Sequence, residues 1–102
     1  MDVTYYKDTD KLVEIFLSLN GKEVLFSDNT YYLINLTGKL EFSEKRKFVE
    51  IRKGRAHISF SVDHIKSFRK VNYTDYGHPE VTKYDLLMVN GPEISITVYS
   101  KK

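Results

Sequence analysis

The chain has 102 residues, of which 41% are hydrophobic and 29% charged, and it carries a net charge of +2. That is the size and composition of one folded domain, residues 1–102, able to bury about two-thirds of its unfolded surface without metal or disulfide support. The absence of cysteine excludes disulfide frameworks, thiolate metal sites and thiol chemistry.

Read from the start, "MDVTYYKDTD" lacks the basic and apolar regions of an export signal, so a cytoplasmic protein is expected. Tyr5–Tyr6, like Tyr31–Tyr32 further on, is an adjacent pair that a strand would send to opposite faces, leaving one member of each exposed. The next stretch, "DTDKLVEIFLSLNGK", supports two readings. The preferred one is the first arm of a hairpin turning at Asn20-Gly21, with Leu17 opposite Val24 and Ile15 opposite Phe26. The alternative is a helix over about 9–20 with Leu12, Ile15, Phe16 and Leu19 on one face and Gly21 as its stop. The apolar run from Leu12 to Leu19 is too short to span a bilayer, and no membrane contact is expected.

Turn signals then recur every eight to twelve residues between short runs of Val, Ile, Phe and Tyr. This pattern predicts an all-β fold: a single antiparallel meander forming a small barrel or sandwich, or, if residues 9–20 are helical, an α+β domain. In the middle, residues 39 to 70 hold ten Lys or Arg against four Asp or Glu, a basic block between acidic ends. Within it, "RKFVEIRKGRAHISFS" reads as a hairpin about Lys53-Gly54, pairing Arg52 with Arg55 and Val49 with Ile58. Val49, Ile51, Ala56, Ile58, Phe60 and Val62 fall on its core face. A tight turn at Asp63-His64 would add "IKSFRKV" beside it as a third strand. The outer face then gathers Arg46, Phe48, Arg52, Arg55, His57, Lys66, Phe68 and Lys70 around Glu50. This construction points Arg69 toward the core beside Ile58, which requires a bulge near Phe68 or an early strand end. The segment "AHISFSVDHIKSF" is similar to the closing strand–turn–strand of Sm-like and SH3-like barrels; the resemblance implies a small barrel and assigns no site.

Further on, "DYGHPE" supplies Asp75, His78 and Glu80, which fall short of the ligand number and spacing of a structural metal site, so no metal is expected. The last hairpin is predicted to turn at Asn90-Gly91-Pro92, pairing Met88 with Ile94, Leu86 with Ile96 and Tyr84 with Val98, with Pro92 outside the ladder. Nothing in the sequence converges as a catalytic constellation. "SVDH" sets Ser61, Asp63 and His64 close in sequence, but a triad is defined by geometry. No cofactor and no catalytic residue are expected.

The basic face with its two phenylalanines is the one constellation with a functional shape. It predicts a non-enzymatic binding protein acting by stoichiometric contact with a protein partner, as an accessory or inhibitory factor such as one carried by a mobile element and aimed at a nucleic-acid-handling enzyme. The alternative is direct binding of RNA or single-stranded DNA, with bases stacked on Phe48 and Phe68 and phosphates held by the cations. A third reading is a structural homo-oligomer joined through strand edges.

Overall fold

A computed structural model describes residues 2–7, 9–28, 34–75 and 77–99; the side chains of residues 34, 75, 78 and 79 lie outside the description, as do Tyr31 and Tyr32. The chain forms β1 (Asp2–Tyr6), α1 (Asp10–Leu19), β2 (Glu23–Asp28), β3 (Ile34–Ser43), β4 (Phe48–Lys53), β5 (Ala56–Ser61), a 3₁₀ turn (Val62–His64), β6 (Ile65–Asp75), β7 (His78–Met88) and β8 (Glu93–Tyr99). All eight strands join one antiparallel sheet in the order β1-β6-β7-β8-β2-β3-β4-β5. This is the expected all-β meander, as one open sheet; it is neither a sandwich of two sheets nor a closed barrel.

The sheet is strongly curled. Only the three residues Val62–His64 separate β5, at one edge, from β6, second from the other edge. Three residues reach roughly 10 Å, so the two ends of the sheet must approach each other at that corner. The 3₁₀ turn is tied to both sides: the Val62 N–H donates to the Lys47 carbonyl at 2.8 Å, and the His64 carbonyl accepts from the Val89 N–H at 2.7 Å.

Residues 10–19 are helix, and the preferred hairpin reading of this segment is corrected. The reason lies in the sheet. Strand β2 is bonded on one side by β3 and on the other by β8, so no edge of β2 is left for a strand folding back at Asn20-Gly21. The helix instead buries Leu12, Phe16 and Leu19 against the concave face of the sheet. Phe16 sits at the centre, its ring 5.7 Å from that of Phe42 and 6.0 Å from that of Phe60. Asn20-Gly21 ends the helix and starts the ladder: Gly21 takes φ +84°, Leu40 exchanges bonds with Gly21 and Lys22, and the Asn20 side chain accepts the Phe42 N–H at 2.9 Å. A side-chain amide thus continues the β2–β3 ladder one step past the last strand residue.

The predicted faces of the two later hairpins hold while their registers move by two residues. Strands β4 and β5 pair Val49 with Phe60, Ile51 with Ile58 and Lys53 with Ala56, so the turn residues are Gly54-Arg55 and not Lys53-Gly54. Strands β7 and β8 pair Leu86 with Ile94 and Tyr84 with Ile96. The Met88 N–H reaches the Pro92 carbonyl at 2.9 Å, using the one ladder group that proline retains. Because side chains alternate with a period of two, a shift of two leaves every residue on its predicted face.

The placement of β6 differs from expectation. It pairs with β1 and β7 and not with β5. The strand–turn–strand resemblance to small barrels holds locally, in the 3₁₀ turn between two strands, but does not extend to pairing across it.

Candidate functional site

Five of the eight predicted binding residues lie in the β3–β5 region, Arg46 and Phe48 at one end of the β4–β5 hairpin and Arg52, Arg55 and His57 at the other. Arg46 lies in the turn between β3 and β4, where its N–H donates to the Ser43 hydroxyl at 3.4 Å. Phe48 opens β4 and is 39% exposed on the outer face between Ser43 and Ser61. Arg52 pairs with His57 in the register and reaches Glu50 at 2.7 Å; Arg55 is exposed in the turn. Glu41, directly opposite Glu50 on β3, adds a carboxylate that the sequence reading had not placed there. Across residues 39–55, seven Lys or Arg still outnumber three Glu. All these cations are exposed.

The other three residues lie elsewhere, because β6 runs on the far side of the sheet. Lys66 is exposed within the register shift between Ile65 and Ser67. Phe68 is core: it is 3% exposed, and the ring of Tyr6 lies flat on it at 4.4 Å. Lys70 shares the Phe68 side of the strand and is half-buried between Thr4 and Tyr84. The predicted four-row outer face is therefore corrected to a smaller basic surface with one exposed phenylalanine.

A second site was not foreseen. On the outer face, the register sets Tyr5, Arg69, Asp85, Ser95 and Ser27 side by side across β1, β6, β7, β8 and β2. The Arg69 Nε donates to Asp85 Oδ2 at 2.5 Å, the Ser95 hydroxyl donates to Asp85 Oδ1 at 2.7 Å, and the Lys83 ammonium stands 3.4 Å from the same carboxylate. Asp85 is 4% exposed. Burial alone would push its carboxyl up, but the Ser95 and Arg69 hydrogen bonds and the Lys83 and Arg69 charges outweigh that and hold it below the ordinary carboxylate range. Arg69 is raised in turn, chiefly by its bond to Asp85. The Arg69 guanidinium is thus ion-paired on the outer face and not turned toward the core, with the strand's register shift lying between Ile65 and Ser67.

Tyr5, Arg69 and Asp85 of this row line a cleft of about 420 Å³, together with Tyr6, Lys7, Phe68 and Leu87 among others. Tyr5 is 73% exposed beside Arg69, so the adjacent tyrosines do face opposite sides. Asp85 is fully engaged, and a second carboxylate of the cleft, Glu93, stands 3.8 Å from the Arg69 guanidinium. Among the described residues no group of three His, Asp or Glu could hold a metal ion; the side chains of Asp75 and His78 in "DYGHPE" lie outside the described residues. Among those residues no helix is long and apolar enough to cross a membrane. The described histidines, His57 on β5 and His64 in the 3₁₀ turn, are both exposed and away from this cleft.

No protein-family model and no curated protein matches the sequence. Its fold is similar to solved structures. Two of ChuX, one described as a heme-binding protein, superpose with TM-scores of 0.62 and 0.63 at 10% identity, covering 99% and 98% of this chain and 64% of ChuX in each case. Apo-PhuS, a heme-binding protein from Pseudomonas aeruginosa, superposes with a TM-score of 0.61 at 13% identity over 96% of this chain and 30% of PhuS. The chain therefore spans less than two thirds of either protein. At these identities the likeness shows a shared fold.

Proposed function

We propose that this chain is a non-enzymatic binding protein that acts by stoichiometric contact, with the β3–β5 end as its protein-docking surface. The observation that carries this reading is Phe48, a large aromatic side chain left exposed on an edge hairpin just after the exposed cations Lys45, Arg46 and Lys47 of the preceding turn. Aromatic and Arg side chains are the usual anchors of protein interfaces. A positive surround suits an acidic partner and speeds encounter with it, consistent with an accessory or inhibitory factor that meets the acidic side of a larger protein. The nucleic-acid alternative has less support: with Phe68 in the core, the surface offers one stacking ring and not a pair.

The test is photo-crosslinking with a benzoyl-phenylalanine at position 48, against a control probe at the exposed helix residue Leu17. The reading predicts a discrete protein adduct from position 48 that Arg46→Glu/Arg52→Glu abolishes. Equal, charge-insensitive labelling from both positions would overturn it. Labelled single-stranded RNA or DNA retained at near-physiological salt would favour the alternative.

The fold likeness supports a second reading, in which the Tyr5 cleft takes a flat apolar ligand such as heme. Heme iron is held by His, Cys, Met or Tyr. Tyr5 is the exposed donor of this set in the cleft, its side chain hydrogen-bonded to Arg69, with Phe68 and Leu87 as apolar wall and Lys7 as a cation for a carboxylate. Hemin titration distinguishes the readings: saturable one-to-one absorbance changes lost in Tyr5→Phe support a heme site, and a featureless response rejects it.

A further inference from the structure

We infer that the outer edge of β5 receives a partner's extended segment as an added strand, and that this segment carries acidic residues at both ends of a short β-branched stretch. The inference rests on the reading of the hairpin as a protein-contact surface and specifies how that surface is used.

Among the described residues β5 has a single strand partner, β4, so its other side presents unpaired backbone N–H and C=O groups. Exposed edges are normally blunted by lysine, proline, a bulge or extreme shortness. Strand β5, "AHISFS", has none of these: it carries no Lys, Arg or Pro, and its six residues pair with β4 in unbroken register. Its concave side is also incompletely covered, since Ala56 is exposed and Ile58 half-buried. An added strand would place apolar side chains over both, at the interstrand spacing of about 4.8 Å.

Charge sets the chemistry of the occupant. The middle of the edge is neutral, whereas cations outnumber acids at both ends, the far end holding Lys45, Arg46 and Lys47 against Glu44 and Asp63. Lys53 precedes the β4–β5 turn and Arg55 lies in it. At the far end, the bond from the Val62 N–H to the Lys47 carbonyl brings Lys47 and its neighbour Arg46 beside the last residue of β5. A segment with acidic ends and an alternating apolar centre complements this distribution. Strand addition of this kind draws affinity from main-chain bonds and selectivity from side chains.

The probe is a synthetic peptide, Asp-Glu-Val-Thr-Val-Thr-Val-Glu-Asp, with two derivatives N-methylated at alternate backbone nitrogens, one in each phase. Binding is followed by amide hydrogen exchange on the whole protein. Alternate N–H groups of a strand point to opposite sides, so the expected result is binding lost in one phase of methylation and kept in the other, with residues 56–61 gaining protection. A Lys-ended peptide should fail to bind. Binding unaffected by either methylation phase, or no binding of the acidic peptide, overturns strand addition. Protection of residues 56–61 that grows with protein concentration in the absence of peptide overturns it too, by making a second copy the occupant. The position-48 crosslink is read independently, so loss of strand addition and loss of the protein-contact reading give different results.

Discussion

The two polar surfaces of the outer face use the same residue types to opposite ends. On β6–β8, Arg69 and Ser95 hydrogen-bond the buried Asp85 carboxylate and Lys83 pairs with it at 3.4 Å. In the β4–β5 hairpin and its turns, Arg46, Arg52, Arg55 and His57 stay in solvent, and the close ion pair Arg52–Glu50 is exposed on its Arg side. The position of the strands explains the difference. Strands β7 and β8 lie inside the sheet with neighbours on both sides, and their flanking side chains shield Asp85 and Ser95. The hairpin ends at a sheet edge with one neighbour, and its cations remain hydrated. Charge in the first region is part of the architecture; in the second it is available to a partner.

This contrast breaks most sharply on truncating an arginine. Arg69→Ala removes a charge-assisted hydrogen bond from the buried Asp85 carboxylate, which keeps Ser95 and Lys83, and is expected to cost about 1.5–3 kcal/mol, measured by urea denaturation. Arg52→Glu/Arg55→Glu should change stability by less than about 0.5 kcal/mol while abolishing docking. Equal losses at the two sites would refute the distinction.

Acid titration should show the same asymmetry. The folded state holds the Asp85 carboxyl below its ordinary range, so its contribution is present above the unfolded value of about 3.9 and is lost as pH falls through the lower folded value. Denaturation midpoints followed from pH 6 downward should drop below about pH 4 in the parent, with a shallower drop in Asp85→Asn. The Arg69 shift lies in the strongly alkaline range and leaves this window unaffected.

A smaller effect is expected where the hairpin is rooted. A Cβ on Gly38 would stand 2.5 Å from the Arg52 carbonyl oxygen, a backbone atom that yields only if β4 moves away. Gly38→Ala should cost about 1–3 kcal/mol by overpacking, with increased exchange confined to β3 and β4. The smallest effect is the Glu50–Arg52 coupling, about 0.2–1 kcal/mol in a double-mutant cycle and weakened by added salt.

The strand faces were legible in the sequence because they depend only on period-two alternation: Val49, Ile51 and Phe60 in one hairpin, and Tyr84, Leu86, Ile94 and Ile96 in the other, are buried as the pattern predicts. The turn regions were legible from Gly54 and Gly91, which adopt positive φ, although the registers were each placed two residues away. Local pattern also located the exposed cations of the hairpin. Three features were decided only in the tertiary structure. Residues 10–19 satisfy helical and alternating spacing alike, and the choice follows from β8 taking the edge of β2 that a preceding strand would need. Phe68 and Lys70 left the predicted surface because the curl of the sheet carries β6 past β5 to its far side. Arg69 found Asp85 sixteen residues along the chain, and Asp85 its Ser95, because pairing of β6, β7 and β8 brought those positions into one row. Alternation is a property of neighbouring residues and survives in the sequence, whereas strand order depends on which edges are still free when the sheet assembles, and no short stretch of sequence contains that information.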